Sequence, residues 1–69
     1  MPSMNIYING QAQTFDLGLS VHDLIQQMDL ANKRYALELN QAILPRSQYS
    51  QTQLNDGDTI EIIHAVVRR

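Results

Sequence analysis

The sequence contains no cysteine. That absence removes disulfides, thiolate metal sites, cysteine nucleophiles and persulfide chemistry on the protein itself. Basic residues are also few: five against seven acidic ones, for a formal net charge of -2. They fall at Lys33-Arg34, Arg46 and Arg68-Arg69 rather than along one periodic face. Nucleic acid, which requires a basic footprint, is therefore not an expected partner. Apolar runs all stop well short of the ~20 residues of a membrane span. The opening Met1-Pro2-Ser3-Met4 lacks a basic segment leading into an apolar one. Neither membrane contact nor a secretory leader is expected, which leaves the cytoplasm as the expected compartment. No stretch has the Gly/Pro/Ser-rich composition of a linker, and residues 1–69 read as a single domain.

A chain of this size buries only about 60% of its unfolded surface. It has no room for a deep catalytic cleft with its own supporting shell. With 43% hydrophobic and 17% charged residues, it is nonetheless globular rather than disordered. Met4, Ile6 and Ile8 alternate with Asn5 and Tyr7, the pattern of a half-buried strand. Asn9-Gly10 follows, the strongest short-range signal for a type I′ hairpin. Gln11 to Phe15 is mostly polar and reads as an edge strand anchored by Phe15.

Ser20 is placed as a helix N-cap, and Asp23 completes an S-x-x-D capping box. Val21, Leu24, Ile25 and Met28 then form one apolar stripe. The spacing predicts a helix of about ten to twelve residues, with Asn32 as its left-handed stop and Lys33-Arg34 complementing its C-terminal dipole. Tyr35 to Asn40 reads as a third strand with Leu37 and Leu39 inward, followed by a turn at Gln41-Ala42. Ile43-Leu44 is a short apolar pair stopped by Pro45, and Ser47 to Asn55 is an irregular connection anchored by Tyr49 and Leu54. Asp56-Gly57-Asp58 is turn chemistry, and Thr59 to Ile63 is a dense β-branched strand. Hairpin, helix, strand, irregular segment and strand make an α+β domain: a mixed four- to five-stranded sheet with one main helix on one face. The β-grasp, or ubiquitin-like, arrangement fits this order best and would place the last strand centrally beside the first.

Candidate chemistry is sparse. Asp56 and Asp58 flank a turn glycine, and the other ligands of a calcium loop are missing. His22 and His64 are isolated, Ser20 is a cap, and no metal-ligand spacing or Ser/His/Asp arrangement occurs. A non-enzyme that binds no cofactor or metal is expected. If Met4, Ile6, Ile8, Ile60 and Ile62 face the helix, alternation turns Tyr7, Ala36, Glu61 and Ile63 outward. Tyr7 and Ile63 would then form a small apolar patch rimmed by Glu38 and Glu61. That patch reads either as a partner-docking face or as ordinary exposed apolar residues.

The run Leu39-Asn40-Gln41-Ala42-Ile43-Leu44-Pro45-Arg46-Ser47-Gln48-Tyr49, then Leu54-Asn55-Asp56-Gly57-Asp58 and an Ile-Glu-Ile strand, resembles ThiS, the sulfur carrier family of thiamine biosynthesis. The N-terminal strand and the Ser20-Val21-His22-Asp23-Leu24-Ile25 helix start agree, so the resemblance covers roughly residues 4 to 67. It implies a β-grasp domain whose terminal carboxylate is adenylated by an E1-like enzyme that uses ATP. Conversion to a thiocarboxylate and transfer of the sulfur to thiazole synthase are implied next. The carrier is then a substrate, expected to be monomeric when free.

Residues 64–69 read as an extended tail, with Ala65, Val66 and Val67 as an apolar approach and Arg68 and Arg69 where the family has Gly-Gly. Glycine suits a narrow channel in which backbone approaches a nucleotide closely. Three readings stay open: a sulfur carrier with an altered tail, a β-grasp binding module without thiocarboxylate chemistry, and an unrelated small interaction domain.

Overall fold

A computed structural model describes residues 2–64. Strand β1 (Ser3–Ile8) alternates strictly, burying Met4, Ile6 and Ile8 and exposing Ser3, Asn5 and Tyr7. The chain reverses through Asn9 and Gly10, at φ 51° and 85°. Two consecutive left-handed residues make the expected type I′ turn, whose twist matches that of the strands it joins. Strand β2 (Gln11–Asp16) returns antiparallel, with Ser3 opposite Asp16 and Ile8 opposite Gln11. Only Phe15, paired with Met4, is partly buried, as suits an edge strand.

Helix α1 (Val21–Gln27) starts at the expected capping box. Asp23 N donates to Ser20 Oγ at 3.1 Å, and Ser20 N donates to Asp23 Oδ2 at 3.3 Å. Val21, Leu24 and Ile25 are buried against the sheet. The helix is shorter than its sequence spacing suggests, and Asn32 is not its stop. Asp29 takes the left-handed position at φ 60°. Its N–H reaches Gln26 O at 3.1 Å, and Leu30 N–H reaches Ile25 O at 3.1 Å, the paired bonds of a Schellman motif. The early stop has a physical reason: it turns Leu30 back against the core. Lys33 and Arg34 lie beyond the end, so the last turn holds no basic residue.

Asp29 is poorly suited to this place, because its Cβ resists positive φ and its carboxylate sits at the negative end of the helix. Asp29→Gly is expected to stabilise the fold by about 1 kcal/mol, a melting temperature higher by roughly 4–8 °C in a domain this small. An unchanged or lower melting temperature in a thermal scan would count against this account of the helix end.

Strand β3 (Tyr35–Leu39) and strand β4 (Ala42–Ile43) form a second tight hairpin, with Leu39 opposite Ala42 and Glu38 opposite Ile43. The turn is Asn40-Gln41, at φ 53° and 73°, not Gln41-Ala42. Asn40 tolerates left-handed backbone, and that moves the reversal one residue earlier. A 3-10 helix over Arg46–Gln51 replaces the first part of the expected irregular connection, and Tyr49 within it and Leu54 beyond it are buried anchors as expected. Strand β5 (Thr59–His64) completes a five-stranded sheet in the order β2-β1-β5-β3-β4. It runs parallel to β1 and antiparallel to β3, and so lies centrally. α1 and the 3-10 helix cover one face, and the other face is open.

Candidate docking face and tail root

The Asp56-Gly57-Asp58 turn binds its own surroundings. Asn5 N–H donates to Asp56 Oδ1 at 2.7 Å, and Asn55 N–H donates to Asp58 Oδ2 at 2.8 Å. Asn40 completes the arrangement, donating through Nδ2 to Asp58 Oδ1 at 3.0 Å and accepting Thr59 N–H on Oδ1 at 3.0 Å. Both aspartates are thus structural, as expected from the turn chemistry, and together with Asn40 they fix where β5 begins.

Tyr7, Ala36, Glu61 and Ile63 are all exposed on the open face. Ile63, 50% exposed, sits directly opposite Ala36. Tyr7 does not join them. It faces Thr59, four residues earlier on β5, or about 13 Å away at the rise of a strand. Between the two apolar positions lies a cross-strand pair of like charges, Glu38 opposite Glu61. Ile43, 63% exposed and opposite Glu38, extends the row on the far side. Its alternation partner was hidden in the sequence because β4 is only two residues long. Like charges directly opposite one another weaken a sheet, so packing within the domain does not account for this pair. The face therefore reads, along the strands, as an acidic band followed by the apolar Ala36–Ile63 pair. Beyond that pair, Arg34 shares a pocket with Tyr35, Ala36, Arg46, Ile63 and His64.

That pocket lies at the His64 end of β5. β1 overlaps only the first residues of β5, at Tyr7–Thr59 and Ile8–Ile60, so β5 projects past it. The hairpin turn supplies a substitute: Asn9 N–H donates to Ile60 O at 2.9 Å, and Asn9 Oδ1 accepts Ile62 N–H at 2.8 Å. Past Ile60, no strand pairs with this edge of β5 among the described residues. On the other edge, β3 supports the strand as far as His64, opposite Tyr35. The tail positions Ala65, Val66, Val67, Arg68 and Arg69 lie outside the described residues.

Arg46 buttresses the same end. Its guanidinium lies 4.5 Å from the Tyr35 ring centroid and donates to the carbonyls of Ala31 and Lys33. The Pro45-Arg46 motif thus ties the loop before β3 to the 3-10 helix, a role that sequence spacing did not suggest. Burial, followed by a hydrogen bond with Tyr35, pushes the Tyr49 phenol from the usual 10.0 up to about 12. A folded-state value above the unfolded one means that the stabilisation is complete below pH 10 and is lost as pH rises to about 12. Denaturant titrations across that range should show a falling stability, and Tyr49→Phe should flatten the fall. An equal slope in both proteins would refute the assignment.

His22 is exposed on the polar side of α1. Among the described residues, no group of three or more His, Asp or Glu side chains is placed to hold a metal ion, and no helix is long and apolar enough to cross a membrane.

Comparison with known proteins follows the same lines. The sequence profile of the ThiS family matches residues 6–67. The sulfur carrier protein ThiS of Escherichia coli strain K12 is 38% identical over 63 residues, which cover 91% of this chain and 96% of that protein. A thiazole synthase of Paramagnetospirillum magneticum is 35% identical over 60 residues, covering 87% of this chain but only 18% of the relative. The crystal structure of the thiamine biosynthesis protein ThiS from Geobacter metallireducens superposes with a TM-score of 0.82 at 29% identity, covering 96% of this chain and all of that one. The β-grasp expected from the sequence, a mixed sheet holding one helix, is the fold of this neighbour.

Proposed function

Because the chain belongs to the ThiS family, we propose that it is a sulfur carrier of thiamine (thiazole) biosynthesis, working through a C-terminal thiocarboxylate. The observation that carries this reading is the match to the Escherichia coli carrier over 96% of that protein's length. ThiS sulfur carriers are carried substrates rather than catalysts, and no side chain of this chain is assigned a catalytic role. In the proposed cycle an E1-like enzyme supplies ATP, and the terminal carboxylate displaces pyrophosphate to form an acyl adenylate. A donor of sulfide-level sulfur then displaces AMP, exchanging the C–O bond to phosphate for a C–S bond. Thiazole synthase takes the sulfur, an oxygen from water or from the acceptor's carbonyl replaces it on the acyl carbon, and the carboxylate returns. Thiazole synthases that contain a stretch similar to this chain support that acceptor.

The fold suits the task. β5 runs through the centre of the sheet and projects past β1, so its free edge can add a partner strand while leading the tail forward. The open face beside it supplies the docking surface, with Ile63 and Ala36 at its centre and Tyr7 and Glu61 on its acidic side. A second reading, a binding module without thiocarboxylate chemistry, is favoured by one observation: the family match ends at residue 67, and Arg68 and Arg69 follow.

The docking assignment is tested with the E1-like enzyme and an Ile63→Glu chain. A charge at the centre of the interface is expected to weaken binding roughly tenfold or more. Leu17→Glu, at a residue 54% exposed in the turn after β2, should leave affinity unchanged. Equal affinity of the Ile63→Glu and unsubstituted chains would remove the face from the interface.

A further inference from the structure

The open face carries a charge order that is complementary to itself. Ala36 and Glu38 occupy successive outward positions on β3, and Arg34, just before the strand, is exposed and lines a pocket with Ala36 and Ile63, which gives the order basic, apolar and acidic. The spacing is equal on either side of Ala36, two residues or about 7 Å each way. β5 reinforces both halves. Ile63 lies beside Ala36, and Glu61 lies beside Glu38. Arg34 and His64 border the pocket at the basic end, where the Arg46 guanidinium is already held by loop carbonyls and Tyr35.

We infer that this face pairs with a second copy of the chain, face to face about a two-fold axis through the Ile63–Ala36 pair. An axis lying in the interface and perpendicular to the strands reverses strand direction and leaves β3 over β3. Arg34 of one copy then stands over Glu38 and Glu61 of the other, and the reverse contact forms by symmetry. Ile63 and Ala36 meet their own counterparts at the centre, as a closed two-fold interface requires. The pairing answers what the isolated domain leaves unexplained, because two adjacent carboxylates that weaken their own sheet gain an opposing guanidinium, whose fork suits paired carboxylate oxygens.

The size of the face sets the strength. Four strands at about 4.8 Å spacing and some five residues of length give roughly 300 Å² per copy, well below the ~1,200 Å² of total burial typical of stable complexes. The dimer is therefore weak and concentration-dependent, and the free chain is monomeric when dilute. It covers the face proposed above to meet the E1-like enzyme, so the two assemblies exclude one another. The homodimer itself rests on the charge order alone and stands whether or not the sulfur-carrier reading does.

Sedimentation velocity of the full chain, without any enzyme, tests it. At low salt and concentrations rising to about 1 mM, within the range of weak association, the sedimentation coefficient should climb toward that of a dimer. It should fall back at about 1 M salt, where the screening length is roughly 3 Å. Two charge-reversed chains decide the geometry: Glu38→Arg with Glu61→Arg, and Arg34→Glu. Each alone should associate at least about tenfold more weakly, because like charges then face one another. An equimolar mixture should recover association, since each reversed chain meets the opposite sign in the other. Circular dichroism confirms that both variants are folded. A chain that stays monomeric throughout, or reversed chains that fail to recover on mixing, would overturn the inference. Association unaffected by either reversal would place the contact elsewhere and overturn it as well.

Discussion

Asn40→Ala is expected to lower stability by about 3 kcal/mol, a large part of the roughly 3–10 kcal/mol available to a domain of this size. Three losses combine. The side chain no longer accepts Thr59 N–H, now at 3.0 Å, and no longer donates to Asp58 Oδ1, also at 3.0 Å. Each bond contributes about 1 kcal/mol, the one to a carboxylate somewhat more. The third loss is conformational, because Asn40 holds φ 53°, and alanine in that region costs a further ~1 kcal/mol. Asn40→Gly separates the contributions: it accepts the backbone angle, loses only the side-chain bonds, and should show roughly two-thirds of the alanine loss. A melting temperature lower by roughly 10–20 °C for the alanine variant is the expected reading. If alanine and glycine behaved alike, the left-handed strain would carry no weight. If neither variant changed stability, Asn40 would not be what fixes the start of β5.

The same residue shows how far the sequence could be read. The Asn9-Gly10 hairpin, the Ser20–Asp23 capping box and the central β5 were legible because each signal is local and strong: a turn dipeptide, a cap with its partner three residues on, a dense β-branched run. Asn40-Gln41 was harder. Glutamine at φ 73° has no propensity that announces it, and the turn is held there by Asp58 and Thr59, distant in sequence. Asp29 ended the helix early for a tertiary reason, the return of Leu30 to the core, while the apolar spacing alone suggested another turn. The four outward residues of the open face followed from alternation and are exposed as expected. Their grouping did not follow, because the parallel register of β1 against β5 is set by packing, and it separates Tyr7 from Ile63. The outward facing of Ile43 was not legible, because a two-residue strand has no alternation to read.

The second large effect concerns residues 68 and 69. Arg68→Gly with Arg69→Gly is expected to turn a chain that accepts sulfur poorly into one that accepts it readily. The argument is steric and electrostatic. Glycine lets backbone approach a nucleotide with no Cβ in the way, whereas two arginines add long side chains and two positive charges at those positions. Roughly a hundredfold difference in rate corresponds to about 2.7 kcal/mol of transition-state energy, a modest demand for two side chains placed next to the reacting centre. The open face and projecting β5 are untouched by the change, so any gain belongs to residues 68 and 69 alone.

Intact mass of the chain after incubation with the E1-like enzyme, ATP and a sulfur donor tests the central claim most directly. The Arg68→Gly, Arg69→Gly chain is predicted to show exchange of one terminal oxygen for sulfur, preceded by an adenylate when the donor is withheld. If neither adenylate nor exchange appeared in that chain while a Gly-Gly carrier in the same mixture was converted, the scaffold would be a binding module and not a sulfur carrier.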